Sequence, residues 1–173
     1  MRAAILLLPI VALAGCDEPA DQPEKGADIS IVAHDDNRKE VFTANAEGDT
    51  GRVRVSTPIF SADFKLPKLA IGAEDFDIGG VKLYPGSTVA RIAVDANDNN
   101  RDDATVDVDF TSPAKADVVR DWFVAEFKRR DVAVEVGDDA IVGTTAEGND
   151  FVIAVKDGGD GVTEGAIHIK EKG

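Results

Sequence analysis

Apolar and polar residues alternate with a period of two through most of the second half of the chain. In ATVDVDF, Val106, Val108 and Phe110 take one parity while Asp107 and Asp109 take the other. RIAVD sets Ile92 and Val94 against charged or small neighbours, and VAVEV offers Val132, Val134 and Val136. FVIAV offers Phe151, Ile153 and Val155, and AIHIK offers Ile167 and Ile169. Such alternation marks strands with one buried face. AIVGTT, from Ala140 to Thr145, predicts a further strand. The separators GDD, EGND and DGGDG are turn sequences, so the strands from Val132 onward are predicted to form successive antiparallel hairpins.

The period changes once, within TSPAKADVVRDWFVAEFKRRD. Ala116, Val119, Phe123 and Phe127 recur there at helical spacing and form one apolar stripe. Ser112 suits the N-cap, and Pro113 suits the first helical position, where a missing N–H costs nothing. Asp117 early and Lys128, Arg129 and Arg130 late complement the helix dipole. The predicted helix runs from Pro113 to about Arg129. The expected fold is α+β: an antiparallel sheet of about six strands with one helix on one face, in the order β-β-α-β-β-β-β.

A helix of about 17 residues is about 25 Å long and cannot cover such a sheet alone. The preceding residues supply further cover. Ile29 to Ala33, Val41 to Ala44 and Arg52 to Ser56 read as short strands. Phe60, Ala62, Phe64 and Leu66 then alternate, and Phe76, Ile78, Val81 and Leu83 follow. Residues 28–85 are thus expected to form a short all-β segment packing on an α+β domain of residues 86–173. Pro67 and Pro85 argue against central strands in the linking pieces.

The N-terminus follows different rules. Met1-Arg2 starts positive, and Ala3 to Leu13 is apolar throughout. That run is about 11 residues, whereas spanning a bilayer takes roughly 20. It has the length of a signal-peptide core. Leu13, Ala14, Gly15 and Cys16, which directly follow, resemble the lipobox of bacterial lipoproteins at all four positions. The resemblance implies cleavage before Cys16, with a diacylglyceryl thioether on its sulfur and an acylated amine. An ordinary signal peptide with a chance cysteine is the plainer alternative. Residues 1–15 are then the signal peptide, and residues 16–27 an acylated cysteine followed by a polar, proline-containing tether. As a coil of about 11 residues the tether reaches on the order of 18 Å. Asp17 resembles the residue that retains lipoproteins in the inner membrane of enteric bacteria. This favours the periplasmic face of the inner membrane over the outer membrane.

The stretch VKLYPGSTV, two strands, SPAKADVVRDWFVAEF and further strands resembles an uncharacterised module of small bacterial envelope proteins, over about Val81 to Lys172. That module carries no assigned activity or catalytic residues, so none is implied here.

Charge narrows the partners. The chain carries 19 Lys and Arg against 33 Asp and Glu, a net charge of −14. Such a field repels phosphate backbones and anionic headgroups, which argues against nucleic acid as a partner and against membrane contact other than through an anchor on Cys16. Cys16 is the single cysteine, so once it is acylated no thiol remains for disulfides, metals or nucleophilic chemistry.

Other candidate chemistry has plainer structural uses. Ser112 and Lys115 fit the S-x-x-K spacing of penicillin-recognising enzymes, but the companion S-D-N and K-T-G motifs are absent. Asp95, Asn97, Asn99 and Asp103 place oxygen ligands with calcium-loop spacing. An EF-hand needs Gly where Asn100 stands and Glu where Val106 stands, so an Asn- and Asp-rich hairpin turn explains the same residues. His34 and His168, the two histidines, lack metal-site spacing. Asp107 and Asp109 form a carboxylate pair about 7 Å apart along one strand face, and Trp122 with Tyr84 offers an aromatic groove or a core edge. No catalytic residue, metal site or cofactor is implied. The expected function is that of a non-catalytic envelope lipoprotein whose sheet or loops bind another envelope protein. Weak divalent-cation binding is the alternative, and hydrolysis a more distant one.

Overall fold

The structure, a computed structural model, describes residues 26–35, 37–65, 70–97 and 104–171. The lipobox, Cys16 and Asp17 lie outside these residues. Ala27 is fully buried at the start of the body.

Twelve strands and one helix follow in the order β1 (Asp28–His34), β2 (Glu40–Glu47), β3 (Arg52–Thr57), β4 (Phe60–Lys65), β5 (Asp77–Ile78), β6 (Val81–Lys82), β7 (Thr88–Asn97), β8 (Thr105–Ser112), α1 (Ala116–Arg129), β9 (Val134–Val136), β10 (Ala140–Thr144), β11 (Asp150–Gly159) and β12 (Val162–Lys170). Ten of the strands form one sheet, ordered β4-β3-β2-β1-β7-β8-β12-β11-β10-β9, and β5 and β6 form a separate hairpin. This corrects the expected α+β fold class with an antiparallel sheet of about six strands and a helix on one face: the described chain is mostly β, with one short helix. The sheet has ten strands and is mixed, because β1 runs parallel to β7 over seven residue pairs. β1 to β4 do not pack onto a face; they extend the sheet sideways. Period-two patterning shows which face each residue takes but carries no information about which strand lies beside which, and β1 and β7 are far apart in sequence.

Register explains why the extension is favourable. One row of paired positions crosses every strand: Phe64, Val53, Ala46, Ile29, Ile92, Val108, Ile167, Ile153, Ile141 and Val136. The next row on the same face is apolar as well, running from Ala62 through Val55, Ala44, Ile31, Val94, Val106, Ile169, Phe151 and Gly143 to Val134. A single slip would turn one half of the sheet inside out.

The core lies where α1 covers this face. The helix packs on β6, β9, β11 and β12 and buries Val119, Phe123 and Phe127. Phe110, Phe123, Phe127 and Phe151 form a chain of ring contacts with centroids 4.8 to 6.3 Å apart. At 14 residues α1 is about 21 Å long, while strands sit about 4.8 Å apart, so it can shelter about four of them. The β5–β6 hairpin adds Ile78 and Val81, and Leu83 follows; all three are buried. Gly79 and Gly80 make this hairpin feasible, since both take positive φ in its two-residue turn. Over β1, β2 and β3 the same face is only half-buried.

The helix begins later than predicted. Ser112 belongs to β8, and Lys115 stands at the N-cap without a side-chain hydrogen bond. Tertiary contacts replace the local cap: Asp157 Oδ1 accepts the Ala116 N–H at 3.4 Å, and the Thr163 hydroxyl donates to the Ala114 carbonyl at 2.6 Å. The predicted strand through Val132 also shortens to Val134–Val136, whose last valine is exposed.

Phe123→Ala is expected to lower stability by about 3–5 kcal/mol and Asp121→Ala by less than about 0.5 kcal/mol, measured by urea denaturation. Equal small effects would mean that α1 does not seal the core through Phe123.

Candidate functional site

The opposite face of the sheet carries the other parity, and along β1 to β4 it is mostly polar, with Val32 the exception on β1. Ser30 and Asn45 share a hydrogen bond of 2.9 Å, and Arg54 meets Asp63 at 3.2 Å. The polar rule weakens across β12, β11 and β10. There Ala166, Ala154 and Ala140 lie in one row of paired positions, and Val152 and Val142 lie in the next. Val152 is 37% exposed and Val142 44%.

These small side chains leave room. A cleft of about 600 Å³ opens over them, lined by Ala90, Ala154, Ala166, Asp109, Lys156 and Glu164 among others. Its floor is methyl groups and backbone, and ion pairs form its rim. Arg91 holds Asp109 at 3.2 Å on one side, and Lys156 holds Glu164 at 2.9 Å on the other. A neighbouring hollow continues past Val142, Val152 and His168 toward Glu135 and Lys170.

The depth of the floor depends on the other face. Gly165 stands among the cleft residues, and the Phe110 ring lies against its opposite side; a Cβ there would come within 2.0 Å of that ring. Glycine at this position lets the largest core side chain of β8 pass under β12 without pushing the strand outward.

The structure gives each sequence candidate a place. Asp107 and Asp109 do share a strand face, but each is already engaged: Asp107 with His168 Nδ1 at 2.7 Å, Asp109 with Arg91. His34 Nδ1 meets Asp95 Oδ1 at 3.0 Å across the parallel β1–β7 joint. Both histidines therefore pair with an aspartate on a neighbouring strand, which spacing along the chain could not show. Of the calcium-loop candidates, Asp95 is occupied by His34, the side chain of Asn97 is not described, and Asn99 and Asp103 lie outside the described residues. Among the described residues no group of three or more His, Cys, Asp or Glu is arranged to hold a metal ion.

Ser112 is almost fully buried, and its hydroxyl has no hydrogen-bond partner among the described residues. A substrate could not reach it without unfolding the end of β8, so the S-x-x-K pair is not presented as a nucleophile and base. Tyr84 and Trp122 meet edge to face at 5.6 Å, with the indole N–H donating to the Lys82 carbonyl at 3.4 Å and the Arg129 guanidinium 6.0 Å above the indole ring. They clasp α1 to β6 at the edge of the core. Buried Glu126 takes Arg129 and Arg130 together on the last turn of the helix. Glu147, exposed in the β10–β11 turn, has its carboxyl held below the usual range by its own backbone N–H and by the Thr145 hydroxyl. It lies outside the cleft lining.

With Asp95 tied to His34, calcium at micromolar concentration is expected to leave the melting temperature unchanged; a rise of many degrees in a thermal-shift titration would show a real site. No family model matches the chain, and neither a curated protein nor a solved structure does.

Proposed function

We propose that this chain is a lipid-anchored protein of the bacterial cell envelope that works by binding a protein partner and not by turnover. The observation that carries the binding part is the cleft: a floor of alanine side chains and backbone, continued by Val142 and Val152 in the neighbouring hollow, on a mostly polar sheet face and rimmed by paired charges. Patches of that kind, an apolar centre within a charged rim, are typical of surfaces that dock other proteins. The rim carboxylates already face cations, so they serve as hydrogen-bonding edges for a partner better than as acids or bases. A flat, methyl-lined floor fits small apolar side chains of an extended segment or a second sheet face. Charge sets the partner class further: at −14 the chain disfavours acidic partners and nucleic acid at any distance beyond direct contact.

Location rests on the sequence. The short apolar run followed by Leu13, Ala14, Gly15 and Cys16 supports acylation of Cys16, and Asp17 supports the periplasmic face of the inner membrane. Two or more acyl chains hold a protein durably where one does not, since each buried methylene contributes about 0.8 kcal/mol.

Two experiments test the two parts separately. Metabolic labelling with an alkyne fatty acid should mark the wild type and not Cys16→Ala. Label retained in the variant, or a mature N-terminus elsewhere than Cys16, rules out the anchor. Crosslinking in intact cells followed by purification should recover a discrete partner with the wild type and lose it with Ala154→Arg, whose side chain fills the cleft from an exposed position. Undiminished capture by a folded Ala154→Arg variant would mean that the partner binds elsewhere.

A further inference from the structure

The two inner apolar rows run the full width of the sheet and end at β4, whose outer side pairs with no other strand among the described residues. The β3–β4 hairpin also presents the two most exposed large apolar side chains described, Ile59 at 97% and Phe60 at 60%. β4 reads Phe60-Ser61-Ala62-Asp63-Phe64-Lys65. Around Ala62 this is nearly a palindrome: aromatic, polar, small, polar, aromatic. A two-fold contact requires that kind of self-complementary surface.

We propose that β4 pairs antiparallel with β4 of a second copy of this chain, centred on Ala62, joining two ten-stranded sheets edge to edge. Parity and charge select the register. Partners must lie on the same face, so the two-fold has to pass through a residue and not between residues. A centre at Asp63 sets that carboxylate against its own copy, a destabilising like-charge pair, in a chain already at −14. A centre at Ser61 reaches Ile59 of the turn at the second position, and a centre at Phe64, though it sets Asp63 against Lys65, runs past the end of β4 at the second. A centre at Ala62 pairs residues 60 to 64 without either problem. Ala62 meets Ala62, Ser61 meets Asp63, and exposed Phe60 gains a strand partner at position 64 of the second copy. The same two-fold keeps both apolar faces on one side, so each inner row continues into the second copy.

A five-residue edge buries less than the about 1,200 Å² of stable interfaces, so the pairing is weak and reversible, and a covalent trap is the measurement that suits it. The inference does not depend on the partner-binding cleft, which lies on other strands.

The test places single cysteines in the full-length chain and oxidises intact cells. Directly opposed residues have Cα atoms about 4.5–5.5 Å apart, inside the about 4.4–6.8 Å that a disulfide needs. Ala62→Cys should therefore give a homodimer band. In the same register residue 61 and residue 63 each lie about 8 Å from their own copies, from a two-residue offset at about 3.4 Å per residue. Their single variants should give bands on the order of ten times weaker, since that separation exceeds disulfide reach. Co-expressed Ser61→Cys and Asp63→Cys chains should crosslink to each other. Wild type, carrying Cys16 alone, is the background. No dimer from Ala62→Cys, equal bands at all three positions, or a crosslinked product of another mass would each overturn the proposal.

Discussion

The parallel joint between β1 and β7 is the constraint on which the rest of the structure depends. Among the described residues it is the single place where the two halves of the sheet meet, and it joins them in a register that sets Ile29 beside Ile92 and Ile31 beside Val94. Shift it by one residue and Ser30 and Val32 would take the place of Ile29 and Ile31 in the apolar rows. Asp28 would then enter the face that the core extends from. Fully burying an isoleucine or valine contributes about 1.5–3 kcal/mol, so even half-buried rows summed over four strands outweigh any exposed ion pair at the joint. The His34–Asp95 pair, worth about 0–1 kcal/mol at a surface, decorates this joint without deciding its register.

The two faces divide the work. The inner face holds the energy: four phenylalanines in sequence, the isoleucine row and the β5–β6 hairpin under α1. The outer face holds little, because its cross-strand pairs between Arg54 and Asp63, Arg91 and Asp109, His168 and Asp107, and Lys156 and Glu164 are all solvent-accessible. What the outer charges do is oppose wrong strand partners, since like charges set directly opposite destabilise. Against that background the alanines and valines of β10 to β12 stand out. They gain nothing for the fold by being apolar where they are, and their presence on a water-facing parity is the reason to assign them a partner.

Much of this was legible in the residues, and the limits have physical causes. Alternation located the strands from Ile92 to Ile169, and the stripe Val119, Phe123, Phe127 located the buried side of the helix. Both are local signals, with periods of two and of 3.6. Neighbour relations were not legible. β12 lies beside β8 and β1 beside β7 across long stretches of chain, and nothing in the parity of either strand names its partner. That gap produced the six-stranded expectation, and it concealed both histidine–aspartate pairs. The helix start was misplaced for a related reason. Ser112 and Pro113 are good local cap residues, but Ser112 is committed to β8, and Asp157 and Thr163, distant in sequence, hold the first turn instead. The cleft was equally hidden, because an alanine on the exposed parity of a strand reads as neutral until Ala154 and Ala166 come to lie side by side.

The position of β1 also orders the proposed activities in space. The chain enters the body at Ala27 and runs straight into β1, an interior strand of the sheet and not an edge. With neighbouring strands about 4.8 Å apart, β8, β12 and β11 lie roughly 10 to 20 Å from β1 on one side, and β4 lies about 14 Å away on the other. If the proposed anchor on Cys16 is correct, it joins the body at β1, between the cleft and the free edge. Entry through an interior strand keeps the proposed docking cleft and the proposed self-pairing edge on opposite halves of the sheet.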